Sequence, residues 1–361
     1  MFMERRKRLA QWIADQAIAG VIVTNPRHIY YLSGFLIDPH ERFVCLALSA
    51  DGQATVVVPA LEAEKAGGFF KDTEMFCYKD GDTDIIPGYL QHWNGRGIAL
   101  EFDTLTVQRC QTLQGFWPDS RFVDVSAAFS KLRLYKDEAE IALLEEACQT
   151  ADYAVEIARK SIAAGVSELD VIAEIEYQLK KRGVSGMSFA TMVLGGEQAA
   201  NPHGVPSKRA FRTGELVIVD LGTIHAGYCS DITRTFAVGD ISADLQKQYE
   251  VVYRAQAKGL ETVQAGLPLR NVDIATRNVI AEEGYGPYFV HRTGHGLGME
   301  IHEPPYVHEK AEEQIENGMA FTIEPGVYIP KIAGVRIEDT VVVQAGKGRA
   351  LTRYPKELLY V

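Results

Sequence analysis

This sequence predicts an α+β protein made of two domains. Three observations carry that reading. Its 361 residues exceed what one ordinary core spans, since single hydrophobic cores stop growing at about 250–300 residues. Its first third alternates short apolar strands with helical stretches. Its remainder opens on two long capped helices and then turns strand-rich. With 47% hydrophobic and 24% charged residues, the composition is that of a soluble globular chain.

The elements follow in order. The start, MFMERRKRLAQWIADQ, mixes charges into a helical pattern. It lacks the apolar core of a secretion signal, so a cytoplasmic location is expected. GVIVTNP reads as a strand closed by a turn, and RFVCLALSADGQATVVVP as a hairpin around Asp51-Gly52. GRGIALEFD and RFVDVS supply two further strands. The composition changes near Lys131. Residues 137–160 have the period and propensity of a long helix. Acids crowd its first turn, where the helix dipole favours them. Ser167-Glu-Leu-Asp170 has the form of an N-cap with an acidic N3 partner, opening a second helix to about Arg182. The boundary is placed at the first of these helices. That gives an N-terminal α/β domain over 1–132 and a second domain over 133–361. Two more helices are expected over residues 242–265, with Ser242 as N-cap, and 270–283.

Bulk chemistry excludes several functions. The net charge is −11 and no basic stripe offsets it, which argues against nucleic acid as a partner. No apolar run approaches the roughly 20 residues of a membrane helix. The five cysteines, Cys45, Cys77, Cys110, Cys148 and Cys229, are odd in number and show no CxxC spacing. Reduced thiols are therefore expected, with no disulfide framework or thiolate zinc site.

The strongest chemical signal is VIVDLGTIHAGYCSDITRTF, residues 217–236. A hairpin centred between His225 and Ala226 would set Asp220 opposite Asp231, with β-carbons about 4.5–5.5 Å apart. Val217, Val219 and Leu221 would face a core. Two carboxylates at about 5 Å, in an effective dielectric of about 20, repel by on the order of 3 kcal/mol. A fold keeps such a pair when a cation lies between them or when they share a proton. An exposed, solvated hairpin is the plain alternative, and the VIV run before Asp220 speaks against it.

Three more segments join this one. HRTGHGLGMEIHE, residues 291–303, carries His291, His295 and His302 among three glycines that allow close backbone approach. FTIEPG sets Glu324 at the end of an apolar strand. GVRIEDTVVV sets Arg336, Glu338 and Thr340 on one face of a strand by the two-residue period. An acid in such a run is costly to bury without a partner. Arg336 could pair with one. Two such acids, the Asp pair and the histidine segment together favour one shared metal site. Four carboxylates and one imidazole suit Mn²⁺, Co²⁺, Fe²⁺ or Zn²⁺. Four negative charges call for two divalent ions. Ions about 3.5–4 Å apart can generate hydroxide at neutral pH and grip a carbonyl as it becomes tetrahedral.

In order and setting, Asp220, Asp231, His295, Glu324 and Glu338 resemble the ligands of the pita-bread metallopeptidases. The motifs are VDLG, SDITRTF, TGHGLGMEIHE, TIEPG and GVRIEDT. That family holds methionine aminopeptidases, Xaa-Pro aminopeptidases and prolidases, which are Xaa-Pro dipeptidases. The likeness covers roughly residues 135–361. NPRHIYYLSGF is similar to the creatinase/prolidase-type N-terminal domain, which methionine aminopeptidases lack. The resemblance implies that Asp220 chelates one ion and that Asp231 and Glu338 bridge both. His295 and Glu324 would bind the other, with Glu324 also shuttling a proton. It implies that His203, in NPHG, lies near the scissile bond and that His302 steadies the tetrahedral intermediate. His291 and Arg336 would line the substrate pocket. Mn²⁺ is the first choice of metal, ahead of Co²⁺, Zn²⁺ or Fe²⁺.

The implied activity is prolidase: metal-dependent hydrolysis of the Xaa-Pro bond in dipeptides by a hydroxide activated between two ions. The substrate is a small peptide with proline in second position. An Xaa-Pro aminopeptidase acting on longer peptides is the alternative. A non-catalytic binding module of the same fold is the alternative from another class, and five filled ligand positions speak against it. A homodimer is expected. In DPHER, Asp38, His40 and Arg42 form either a solvated loop or one that closes a neighbouring subunit's pocket.

Overall fold

The structure is a computed structural model that describes every residue except Asp72, Thr83, Asp84 and Pro87, and elements are counted among the described residues. The chain divides into two compact units, Met1–Arg133 and Leu134–Val361.

In the first unit, α1 (Phe2–Asp15) turns Leu9, Ala10 and Ile13 inward. β1 (Gly20–Val23) is buried along its length. α2 (Pro26–Ser33) starts where the Asn25 side chain accepts from the Arg27 amide and Pro26 takes the first helical position. β2 (Cys45–Ser49) and β3 (Ala54–Pro59) form the expected hairpin. α3 (Ala63–Gly67), β4 (Glu74–Tyr78), β5 (Gly97–Leu100), α4 (Val107–Phe116), β6 (Arg121–Asp124) and α5 (Ser126–Leu134) follow. The sheet order is β4-β3-β2-β1-β5-β6, with β1 antiparallel to β2 and parallel to β5. The DPHER loop is pinned at one end. Arg42 donates to both Asp80 carboxylate oxygens, at 3.1 and 2.9 Å. The Asp38 carboxylate accepts from the His40 amide at 3.1 Å.

The second unit begins with α6 (Glu138–Ser161). Asp137 caps it in a reciprocal box with Glu140. Ile141, Leu144, Cys148, Ala151, Val155 and Ala158 make its buried stripe at three- and four-residue spacing. α7 (Glu168–Lys181) opens with the same box between Ser167 and Asp170. The strands β7 (Gly186–Met187), β8 (Met192–Gly195), β9 (Glu215–Leu221), β10 (Thr223–His225), β11 (Tyr228–Cys229) and β12 (Ile232–Val238) come next. α8 (Ala243–Thr262), capped by Ser242, and α9 (Arg270–Glu282) match the expected helices. The chain ends with β13 (Gly294–Gly296), β14 (Glu303–Val307), β15 (Ala320–Ile323), β16 (Gly326–Ile329), β17 (Ala333–Arg336), β18 (Glu338–Gln344), β19 (Lys347–Ala350) and β20 (Leu359–Tyr360). The main sheet runs β14-β13-β15-β18-β12-β9-β8, with each neighbouring pair antiparallel. On one face Val217, Val219, Leu221, Ile232 and Phe236 pack with α6 and α7. The other face carries the site. Among the described residues, no helix is long and apolar enough to cross a membrane.

Two expectations about this sheet need correction. Asp220 pairs with Thr233, not with Asp231. The turn is Ala226-Gly227, both at positive φ (44° and 80°), as a type I′ hairpin requires. Its centre therefore lies one residue further along, and Asp231 slides two positions to a diagonal. An even shift keeps both acids on one face. GVRIEDTVVV is also not one strand. It breaks at Ile337, so Arg336 pairs in a ribbon with β16 and Glu338 belongs to the main sheet.

Candidate metal centre

The register assembles the site in two adjacent rows. In the first, Asp220 lies across from Thr233 and Thr233 across from Glu338. In the second, the Thr340 hydroxyl donates to the Asp231 carbonyl at 2.8 Å. Thr322 lies across from Thr340, and its hydroxyl accepts from the His295 amide at 3.1 Å. Gly294 and Gly296 let β13 come this close. A methyl at 294 would overlap the Thr322 carbonyl, and one at 296 would overlap the Pro304 carbonyl. Glu324 follows β15 at the edge of the second row and accepts from the Thr322 hydroxyl at 3.2 Å.

Asp231, His295 and Glu338 converge, with one ligand atom from each lying within 4.8 Å of the others. His295 Nε2 is 3.6 Å from Asp231 Oδ2 and 3.4 Å from Glu324 Oε1. Its Nδ1 faces the Gly296 carbonyl at 3.1 Å. With Nδ1 protonated toward that carbonyl, the Nε2 lone pair points at the carboxylates, which is the tautomer a metal ligand needs. Asp220 stands one step off, joined to the Arg336 guanidinium. Arg336 also donates to the Thr233 hydroxyl at 3.2 Å, and Thr233 donates to Glu338 at 2.7 Å.

The donor set fits divalent cations. Four carboxylates meet one guanidinium. Asp220 Oδ1, Asp231 Oδ1 and Glu338 Oε1 are buried without a hydrogen-bond partner among the described residues. An unpartnered buried carboxylate oxygen is costly, and these three atoms are where a cation would relieve that cost. Electrostatics agrees. Burial, then the charges of Glu338, Asp220 and Glu324, pushes the Asp231 carboxyl well above its ordinary value. Burial and the charges of Glu324 and Asp220 do the same to Glu338. Glu324 is raised by burial to about 7. Burial lowers His295 to about 3 and His291 to about 4, so both imidazoles are neutral at physiological pH.

The remaining expected residues surround this group. His302 is exposed, and its ring meets the His295 ring edge-on at 4.1 Å and 81°. Burial lowers its pKa, and the charges of Arg292 and His203 lower it further. His291 Nε2 lies 3.0 Å from the Tyr328 hydroxyl, which accepts from Arg336 at 2.7 Å. His203 sits exposed in a turn where its amide donates to the Asn201 side chain at 3.2 Å. Both residues expected to line a pocket are tied to site neighbours, Arg336 to Asp220, Thr233 and Tyr328 and His291 to Tyr328.

Residues 142–345 match Metallopeptidase family M24, and residues 5–135 match the Creatinase/Prolidase N-terminal domain. The chain belongs to metallopeptidase family M24. It is thus a peptidase with the pita-bread fold behind a creatinase-type N-terminal domain. An Xaa-Pro dipeptidase from Bacillus anthracis is 37% identical with a TM-score of 0.94, covering 100% of both chains. A prolidase from Thermococcus sibiricus is 34% identical with a TM-score of 0.92, again over 100% of both. An X-Pro aminopeptidase from Thermotoga maritima is 28% identical with a TM-score of 0.88, over 95% of this chain and 98% of that one.

Sequence reasoning missed two members of the site. Thr233 links Glu338 to Arg336, and Tyr328 links Arg336 to His291. Thr233 was findable, because it lies two residues after Asp231 and period two puts both on one face. Tyr328 follows Val327 in a short strand, and its hydroxyl has no local signal.

Proposed function

We propose that this M24 peptidase is a prolidase that hydrolyses Xaa-Pro dipeptides with two divalent ions, Mn²⁺ first. The observation that carries the reading is the buried acid cluster around His295, in which three carboxylate oxygens have no hydrogen-bond partner among the described residues. Asp220, Asp231, His295, Glu324 and Glu338 would hold the ions. When bound, such ions acidify a water and polarise the scissile carbonyl.

The chain's own groups do the rest. His302, neutral beside His295, donates a hydrogen bond to the carbonyl oxygen as it gains charge. Glu324 takes up a proton and passes it to the proline nitrogen as that nitrogen leaves. His203 reaches the scissile-bond region from its exposed turn. The Arg336–Tyr328–His291 chain holds His291 rigidly for contact with the substrate. In the assembled enzyme two copies of the chain would form a homodimer in the cytoplasm.

The Xaa-Pro preference is supported by the end-to-end likeness to the Bacillus anthracis and Thermococcus sibiricus enzymes. One observation favours aminopeptidase action instead. Arg336, the candidate for gripping the proline carboxylate, is engaged by Asp220, Thr233 and Tyr328. Comparing Ala-Pro with Ala-Pro-Ala in Mn²⁺ separates the two. The prolidase reading expects kcat/KM at least tenfold higher for the dipeptide. A higher value for the tripeptide assigns the enzyme to the aminopeptidases.

A further inference from the structure

Lys136 and Glu303 form a buried ion pair beside the site. Lys136 Nζ lies 2.8 Å from Glu303 Oε1, and the two side chains are only 1% and 4% exposed. Burying such a pair desolvates both partners. Apolar side chains of similar volume often do as well or better for stability. Stability alone therefore gives a weak reason for it, and its position gives a stronger one.

Glu303 immediately follows His302 and opens β14. It pairs with Gly296, next to His295, where the β13–β14 ladder shifts register. Its Oε2 accepts from the Glu300 amide at 3.4 Å. Its carboxylate lies against Gly298, where an added methyl would sit 2.6 Å from Oε1. One carboxylate thus gathers both ends of the 298–303 segment. The Gly298 carbonyl accepts from the Cys229 amide at 2.7 Å, which ties the same segment to the hairpin that delivers Asp231.

The other end of the pair is firmly anchored. Lys136 directly precedes Asp137, the N-cap of α6, and its amide donates to the Gly318 carbonyl at 2.7 Å. His302 is the bend residue immediately before the anchored Glu303, and its ring meets His295 edge-on.

We propose that Lys136 and Glu303 are positioning residues for peptide hydrolysis, holding the 298–303 segment so that His302 stands at the reacting carbonyl. The inference rests on the role proposed above for His302. Misplacement of a group by about 1 Å can cost about 100-fold in rate.

The test replaces both charges at once, K136M/E303M, so that no buried ion is left alone. E303Q serves as a second variant that keeps the size of the side chain. Ring-to-ring contact between His295 and His302 is read by NMR in metal-free protein. Mn²⁺ affinity, thermal midpoint, kcat and KM for Ala-Pro are read alongside. The double variant is expected to keep Mn²⁺ affinity and KM within about threefold and to lose the ring contact. Its kcat should fall about 100-fold, with E303Q between it and wild type. Retention of both the ring contact and kcat would overturn the proposal. So would parallel collapse of Mn²⁺ binding and thermal midpoint in both variants, which marks a merely structural pair. Failure of the wild type to cleave Ala-Pro would refute the proposed substrate, and the ring contact would still decide this inference.

Discussion

Glu338 and Asp339 are neighbours on one strand, both buried, and they live in opposite environments. Asp339 faces the α6 side of the sheet. It accepts from Arg234 and Thr352 on one oxygen, and from Gln256 and Lys356 on the other. Burial pushes its carboxyl up, but Arg234 and Lys356 outweigh burial and hold it below the usual carboxylate range. Glu338 faces the site. One oxygen accepts from Thr233, the other has no partner among the described residues, and its carboxyl is driven well above the usual range. The same burial thus gives two signs of shift. A carboxylate kept for structure is neutralised by its own chain, whereas one kept for a ligand is left short of positive charge.

Exchanging each for alanine sharpens the contrast. E338A is expected to lower kcat by about 10³-fold or more, which is about 4 kcal/mol of barrier. The metal-free protein should melt no lower than wild type, because a repelling charge is gone. Steady-state rates and calorimetry with chelator check both halves. A normal rate in E338A would break the contrast at its active end.

D339A should do the reverse to stability. Arg234 and Lys356 would be left buried without their shared partner, at a cost of about 3–5 kcal/mol. In a unit of this size that corresponds to a drop of roughly 10 °C in thermal midpoint. The drop should persist whether or not metal is present. A midpoint within about 1 °C of wild type would show that the network around Asp339 carries nothing.

The smallest expected effect is on pH dependence. Asp231, Glu324 and Glu338 have raised carboxyl pKa values in the metal-free fold. Raised folded-state values favour the protonated fold, so this stability is present at low pH and is lost as pH rises through them. His291 and His295 have lowered values and act oppositely, but only below about 6.5, where the unfolded chain takes up protons. From about pH 6.5 to 8 the carboxyls act alone. The midpoint of chelated protein should fall across that interval, by a few degrees. Saturating Mn²⁺ should remove the fall, since metal replaces the protons. Parallel curves with and without metal would contradict the shared site.

Much of this was legible in the sequence. Period, propensity and an acid-crowded first turn announced α6, and the cap at Ser167–Asp170 announced α7. Period two correctly set Val217, Val219 and Leu221 against Asp220. The hairpin register was not legible, because an alanine at positive φ decides the turn and Ala226 carries no sign of it. Nor was the break at Ile337, since Val335 and Ile337 continue the apolar alternation across it and both are buried. Asp220 and Arg336 were placed in the site by pattern, but their mutual ion pair depends on two separate sheets meeting. The Lys136–Glu303 pair joins residues far apart in the chain, and no local period reports it.

The most direct measurement is a titration of metal-stripped protein with Mn²⁺ at pH 7.5, read by calorimetry and by elemental analysis after dialysis. Wild type should bind two ions per chain, and D231A and E338A should lose this binding. Wild type that holds no ion, or an E338A variant that binds two as tightly as wild type, would contradict a dinuclear centre at these residues.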